Sequence, residues 1–244
     1  MPAMLLVLCE SSDISALWAA DALRARGLLP TVLTGSELAR ARGWRHTIDQ
    51  AGADFELQLE SGITLRRGDI RGVLNRLSFL PGAWMQGIAG PDRDYALQEM
   101  LAFYLSWLHS LPQPMLNPPT PQGLCGNMRH PSAWLALGRG AGLPIRTLKQ
   151  SCQDDPRMFW QDPQGVDDAT VLVVGETVFG PDDLVDRHGA ACVRLARDSA
   201  CPVLGIRFQP AEDGDWRMSG AHLLPDLRQG GGTLADVLAR ELTQ

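Results

Sequence analysis

The order of apolar and polar positions predicts buried strands alternating with amphipathic helices in the first third of the chain. An uninterrupted apolar run from Met4 to Leu8 is typical of a strand that is buried on both faces. Ser11, Ser12 and Asp13 then offer N-caps for a helix that continues to Gly27. The apolar residues that recur at helical spacing in this segment are Ile14, Leu17, Trp18, Ala22 and Ala25.

Further alternation follows up to residue 77, and strand–helix–strand order at these lengths predicts a parallel α/β sheet. The predicted elements are a strand at Pro30–Leu33, a short helix at Ser36–Gly43, a half-exposed strand at Phe55, Leu57 and Leu59, and a strand at Ile70–Leu77.

The clearest helical pattern runs from Asp92 to Ser110 and ends before Pro112. A brief strand at Pro114–Asn117 and a proline-rich loop follow, and a second helix begins at Pro131 and continues to Gly142. We expect a domain boundary in the proline-rich passage, which gives domains 1–112 and 113–244. The predicted apolar stripe of the long helix is Leu97, Met100, Leu101, Tyr104, Leu105, Leu108 and Leu111.

The second half of the chain carries hairpin signals, with predicted turns at Gly175-Glu176 and at Asp213-Gly214-Asp215. The segment Gln150–Gln164 is polar and predicted to be a loop. The other predicted elements are strands within Ala169–Phe179, Val203–Phe208 and Trp216–Leu224, a helix at His188–Asp198, and a last helix capped by Thr233.

Length, charge and composition argue against several functional classes for this protein. A chain of 244 residues can bury a sizeable core. Its formal charge of −6 argues against a general nucleic-acid binder. The sequence contains no run of eighteen apolar residues, so no transmembrane helix is predicted. The apolar start is typical of a core strand rather than of a signal peptide. Five cysteines, an odd number, favour reduced thiols in the cytoplasm.

The collinear order of these motifs resembles the ATP-grasp superfamily, in its glutathione synthetase and glutamate-ligase branch. Each motif is short, but together they extend over nearly the whole chain. The matching features are Asn75-Arg76, the helix Asp92–Ser110, Leu116-Asn117-Pro118-Pro119, Ala141-Gly142-Leu143-Pro144, the hairpin Val171–Phe179, Leu204–Phe208 and Pro225-Asp226-Leu227.

The resemblance implies an α/β fold in which a parallel pre-ATP-grasp domain precedes a reduced α+β ATP-grasp-like domain. In that family, lysines hold the nucleotide phosphates and acidic or amide side chains hold magnesium. Between Lys149 and Val171 only about twenty residues remain, so we expect the nucleotide-lid subdomain of the family to be absent.

This sequence departs from the family at the positions that carry its chemistry. The family's lysine before the second helix is replaced by Arg129-His130, and Lys149 is the only lysine among 22 basic residues. The acidic ligand of the strand Leu204–Phe208 is replaced by Arg207, and the family's Glu-x-Asn becomes Gly220-Ala221-His222. We therefore expect no metal site, no catalytic residue and no cofactor; ATP and magnesium enter only if the chain is an active ligase.

Eight residues are candidates for ligand binding. Ser11 and Ser12 follow the first strand at the carboxyl edge where open α/β sheets bind ligands, although helix capping alone explains them as well. Arg76 is expected either to hold a substrate carboxylate or to form a structural ion pair. The full set is Ser11, Ser12, Arg76, Asn117, Arg129, Lys149, Arg207 and His222.

Three functions remain open at this point. The favoured one is a non-catalytic ATP-grasp-like protein, a binding or partner subunit in a biosynthetic or peptide-modifying pathway, forming a homodimer or a complex with another subunit. The alternative is a minimal ATP-dependent carboxylate–amine ligase, in which Arg129, Lys149 and Arg207 supply positive charge and Asp213, Asp215 or Asp226 hold the metal. The third is an unrelated α/β enzyme that uses Cys9 or Ser11.

Overall fold

The computed structural model describes residues 4–80, 90–148 and 168–244. Lys149 and the predicted loop Gln150–Gln164, where the family's lid subdomain would lie, are outside the described residues. The chain forms two compact units, of which the first contains residues up to Met128 together with Asp226–Gln244, and the second contains Arg129–Pro225. The division into domains at residue 112 stays a prediction.

Eleven strands and six α-helices make up the described part of the chain. The strands are β1 (Met4–Cys9), β2 (Pro30–Thr34), β3 (Gly43–Asp49), β4 (Gly52–Gln58), β5 (Thr64–Arg66), β6 (Ile70–Asn75), β7 (Met115–Leu116), β8 (Ala169–Val174), β9 (Thr177–Phe179), β10 (Val203–Pro210) and β11 (Trp216–His222). The helices are α1 (Ile14–Arg24), α2 (Gly35–Ala39), α3 (Gly90–Ser110), α4 (Pro131–Gly140), α5 (Asp182–Asp198) and α6 (Gly231–Glu241).

The first unit is built on a parallel sheet in the order β2-β1-β6-β7, as the strand–helix alternation predicts. Residues Leu5 to Cys9 of β1 are completely buried, because β1 is a central strand. The expected face of α1 is wrong: Ile14 and Leu17 are exposed, whereas the small residues on the other side are buried. The buried residues of α1 are Ser15, Ala16, Ala19, Ala20 and Leu23.

A second, antiparallel sheet of the first unit has the order β3-β4-β5 and packs against α3. The alternating pattern of Phe55 and Leu57 is confirmed, since both side chains are buried in β4. β3 and β5 were not predicted, and the helix expected over Ser36–Gly43 ends at Ala39. β3 escapes recognition because its polar side chains outnumber its apolar ones.

The long helix α3 begins at Gly90, close to its predicted start, and its carboxyl half enters the core. Tyr104 and Leu108 of the expected stripe are buried, but Leu97 is 41% exposed. Trp107, outside that stripe, is completely buried and meets Trp44 of β3 edge to face at 4.8 Å between ring centroids. The carboxyl half of α3 therefore packs against the small antiparallel sheet β3-β4-β5.

The carboxyl-terminal segment returns to the first unit. The backbone N–H of Leu227 donates to Oγ of Ser15 at 2.8 Å, and Arg26 pairs with Asp236 of α6 at 2.6 Å. The predicted cap of the last helix is wrong, because Gly230 occupies the N-cap position and Thr233 lies inside the first turn of α6.

The second unit is an antiparallel sheet in the order β11-β10-β8-β9, with α5 on one face. Both predicted hairpins are present. α5 is longer than predicted and starts at Asp182 rather than His188, since its polar first turns hide the apolar period while Asp182 and Asp183 favour the positive end of the helix. None of the described helices is long and apolar enough to cross a membrane.

Candidate functional site

The carboxyl edge of the parallel sheet is organised by one buried amide, that of Asn75 at the end of β6. Its Nδ2 donates to the backbone oxygens of Asn117 and Leu124, at 2.9 and 2.7 Å, and its Oδ1 accepts the N–H of Leu77 at 3.2 Å. Asn117 is itself buried and has a positive φ of 57°, a conformation that asparagine tolerates. Asn75 thus joins the loop after β6 to the loop after β7, in which the contacts of Asn117 and Leu124 are made by their backbone oxygens.

Arg76 lies beside this amide and makes a bidentate contact with a carboxylate of the chain itself. Its Nε donates to Oδ2 of Asp13 at 2.7 Å, and its Nη2 donates to Oδ1 at 3.3 Å. The side chain of Arg76 is only 3% exposed and that of Asp13 14%. Asp13 also accepts the backbone N–H of Ala16 at 3.0 Å as the N-cap of α1. Ser11 and Ser12 are exposed in the turn that precedes this cap.

The end of β1 holds two groups whose charged forms are disfavoured. Burial is the main cause that raises the pKa of the Cys9 thiol to about 11, and Asp13 contributes. The thiol is therefore protonated near neutral pH, which does not suit the nucleophile that the third hypothesis requires. Burial, helped by Asp13, also raises the pKa of Glu10, whose Oε1 is buried without a hydrogen-bond partner among the described residues.

Glu10 was not among the predicted site residues. The sequence did contain a signal for it, because Glu10 directly follows a fully apolar strand at the ligand-binding edge of the sheet. Asn75 was noted only as part of a motif, although its contacts make it the centre of this edge.

In the second unit, Arg207 and His222 lie on one face of the antiparallel sheet. Gly205 is opposite His222 and Arg207 is opposite Gly220, so all four residues point to the same side. A Cβ at Gly205 would lie 2.6 Å from Nε2 of His222, and one at Gly220 would lie 3.3 Å from Nη2 of Arg207. The two basic side chains therefore rest on two glycines.

The opposite face of this sheet is occupied by α5. His188 of α5 stacks on Phe208 of β10 at 5.7 Å between ring centroids, and Leu204 and Ile206, which share the face of Phe208, are completely buried. The face that carries Arg207 is thus the one turned away from α5.

The donor set on this face does not fit magnesium. Mg²⁺ prefers carboxylate and other oxygen ligands, whereas this face presents a guanidinium and an imidazole from the positions at which the resemblance implies acidic and amide ligands. Across the described residues, no three side chains of the His, Cys, Asp or Glu type come together in a way that could hold a metal ion. A guanidinium suits an anion such as a carboxylate.

Arg129 begins the second unit and is held by an aromatic ring. Its guanidinium carbon lies 5.6 Å from the ring centroid of Trp134 in α4. Its Nε is buried and has no hydrogen-bond partner among the described residues. Arg129, Arg207 and His222 thus belong to one unit, Ser11, Ser12, Arg76 and Asn117 to the other, and Lys149 is outside the described part.

Comparison with known proteins gave no match to a family model or to a curated protein sequence. Solved structures do match. The macrocyclase MdnC of Microcystis aeruginosa MRC, bound with the precursor peptide MdnA, is similar with a TM-score of 0.73 and 13% identity, over 98% of this chain and 99% of that one.

Two further similar structures are ATP-grasp ligases that also contain peptides. The RiPP-associated ligase of Chryseobacterium gregarium, in complex with ADP and a leader and core peptide, has a TM-score of 0.71 at 9% identity, over 98% of this chain and 96% of that one. The ligase PsnB with a minimal precursor has a TM-score of 0.66 at 17% identity, over 99% of both chains. These likenesses confirm the expected ATP-grasp-like fold.

Proposed function

We propose that this ATP-grasp-like chain is a non-catalytic, cytoplasmic binding subunit that holds a precursor peptide in a peptide-modifying pathway, and that it requires neither ATP nor magnesium. The observation that carries the proposal is the pair of basic side chains, Arg207 and His222, on the sheet face where the resemblance implies metal ligands. Because both rest on glycines, the face is built around these side chains.

A peptide is the ligand that the structural neighbours favour. Three similar structures contain a precursor peptide or its leader and core parts, and the similarity extends over nearly the whole of this chain. An acidic group of such a peptide suits the guanidinium of Arg207, which forms charge-assisted hydrogen bonds with carboxylates. In this proposal a separate catalytic subunit modifies the bound peptide.

Thermal unfolding with ATP, with Mg²⁺ and with both tests the nucleotide part of the proposal. A ligand at a hundred times its Kd stabilises a fold by about 2.7 kcal/mol, which raises the Tm of a protein of this size by roughly 5–10 °C. We expect no shift that depends on both ATP and Mg²⁺. A magnesium-dependent shift, together with conversion of ATP to ADP and phosphate as a carboxylate and an amine of the peptide form an amide bond, would instead establish the active ligase.

Fluorescence anisotropy with a labelled peptide rich in acidic side chains tests the peptide part. We expect saturable binding without nucleotide, and a roughly tenfold weaker Kd for Arg207→Gln because one charge-assisted contact is lost. Arg139→Gln is the matched control, since Arg139 is an exposed arginine of the same unit. Equal weakening by both variants would mean that binding reflects general charge rather than this sheet face.

A further inference from the structure

The outer edge of β3 is open in the described part of the chain. β3 pairs with β4 from Gly43 opposite Gln58 to Asp49 opposite Gly52, and β4 continues to β5 on its other side. Among the described residues, no main-chain hydrogen bond joins residues 43–49 to any strand other than β4. An open edge of seven residues is a template for one more strand.

An apolar pocket of about 260 Å³ lies at the start of this edge strand. Trp44 of β3 forms part of its wall, and the remaining walls come from α2, from the segment after it and from α3, including Leu38, Ala41, Met100 and Phe103. Met100 and Phe103 are only partly buried, although they pack against the core. The pocket therefore has room and apolar surface for a side chain that this unit does not itself supply.

An exposed apolar side chain lies on the same strand, four residues after Trp44. Ile48 is 66% exposed, and because side chains alternate along a strand, Trp44, His46 and Ile48 share one face. His46, midway between them, is fixed by Nε2 to the hydroxyl of Ser106 in α3 at 3.0 Å. β3 thus contributes a wall of the apolar pocket through Trp44 and, four residues later, an exposed apolar side chain, Ile48.

We infer that a second copy of this chain pairs its β3 with the first, antiparallel and around a two-fold axis at His46. In this register His46 is opposite His46 of the second copy, and Ile48 of each copy is opposite Trp44 of the other. Side chains that are directly opposite lie on the same face, about 4.5–5.5 Å apart at Cβ. Each Ile48 then reaches the pocket of the other copy, and the two small sheets become one sheet of six strands.

The charges on the other face of β3 are compatible with this register. Asp49 of the second copy lies opposite Gly43 and diagonal to Arg45, within reach of a long side chain. Arg45 is opposite Thr47 of the second copy and faces Glu56 of its own chain. No two arginines and no two carboxylates are directly opposite each other, and each Arg45 has Asp49 of the second copy on one diagonal and Arg45 of the second copy on the other. The charges therefore permit this register, and the pocket and Ile48 select it.

The arrangement fits a second copy rather than an unrelated partner, because pocket and side chain belong to the same strand. A two-fold axis satisfies both contacts at once, as in a closed isologous dimer, in which the same patch is used on both subunits. Main-chain pairing supplies hydrogen bonds and the pocket supplies the register.

Sedimentation velocity of the full chain, over a wide range of concentration, tests the dimer. We expect a monomer–dimer equilibrium in the unmodified protein, and Ile48→Lys is expected to raise the dimer Kd by more than about tenfold by placing two charges in apolar pockets. Ile63→Lys is the matched control, because Ile63 is also exposed, at 51%, but lies in the turn between β4 and β5, away from the edge strand β3. Thermal unfolding of both variants checks that the monomer fold is retained.

Disulfide trapping tests the register independently. His46→Cys is expected to form an intermolecular disulfide on mild oxidation, because the two positions are opposite each other at the axis, whereas Ile48→Cys is not, because the two copies of residue 48 are four positions apart in register. The unmodified protein is the control for its native cysteines. A strictly monomeric protein, or a dimer that Ile48→Lys leaves intact, would overturn the inference.

Discussion

Asp13 serves two elements with one carboxylate. It caps α1 through the N–H of Ala16 and neutralises Arg76, an arginine 63 positions away that is almost completely buried. Of the two expectations for Arg76, the contact observed within the chain is the structural ion pair. A sequence pattern reveals the cap, since the cap is local, but it does not reveal which carboxylate a buried arginine meets.

Replacing Asp13 by Asn separates these two tasks. Asparagine caps helices about as well as aspartate, so Asp13→Asn keeps the cap and removes the carboxylate that pairs with the buried guanidinium. We expect the free energy of unfolding in urea to fall by about 3 kcal/mol, as for a broken buried pair. The exposed pair of Asp21 with Arg24 provides the control, and Asp21→Asn is expected to change stability by less than about 0.5 kcal/mol. Equal effects would contradict a special role for Asp13.

At the scale of elements, α1 illustrates why residue size decides a helix face. Its buried side is made of Ser15 and alanines with Leu23, while Ile14 and Leu17 face outward. Small side chains allow α1 to lie close to β1 and to α6. A prediction that gives most weight to large apolar residues therefore selects the exposed face of α1, which carries Ile14 and Leu17. The presence of the helix was predictable, but the direction of its buried face was not.

The carboxyl-terminal segment depends on a similar close approach. Gly72 of β6 has no room for a side chain, because a Cβ there would collide with the carbonyl oxygen of Leu242, just after α6. We expect Gly72→Ala to push this segment away and to lower the free energy of unfolding by about 2–3 kcal/mol.

Gly68→Ala is the control for Gly72→Ala. Gly68 lies two residues before β6, in the 3-10 turn Arg67–Asp69, and a Cβ there meets nothing within 4 Å. Chemical denaturation of both variants, with limited proteolysis near residue 226, measures the difference. An unchanged stability of Gly72→Ala would mean that the terminal segment does not pack on β6 in solution.

At the scale of the whole molecule, each of the two units encloses a thiol that resists ionisation. Burial raises the pKa of Cys9 in the first unit to about 11 and that of Cys192 in the second to about 12, from an ordinary value of 9.0. The folded chain therefore holds these two protons more tightly than the unfolded chain does.

Stability is accordingly expected to fall with rising pH on the alkaline side. Below about pH 9 both thiols are protonated in either state and the full stability is present. Between about pH 9 and 11 the unfolded chain loses protons that the folded chain keeps, so the free energy of unfolding falls by about 1.4 kcal/mol per pH unit for each thiol.

Urea denaturation at several pH values measures this slope. The variants Cys9→Ala and Cys192→Ala serve as internal controls, because each removes one titrating thiol and should reduce the slope of its own unit. A slope that is the same in all three proteins would show that other groups determine the alkaline stability.

The sequence alone determined the elements whose signals are local and periodic, together with the class of fold. The parallel strands β1, β2 and β6, the long helix α3 and both hairpins of the second unit follow from apolar runs, alternation and turn residues. The expectation that Arg207 and His222 lie where the resemblance implies metal ligands also came from the sequence, because it needs only strand position and residue type, and it stays a prediction.

Tertiary structure alone decided what depends on partners distant in the chain. It joined Arg76 to Asp13, Asn75 to the loop after β7, and α6 to the first unit. It placed Arg207 against Gly220 and His222 against Gly205. It also left the edge of β3 open beside an apolar pocket. These features arise from packing and cross-strand register, which bring together residues that no local period relates.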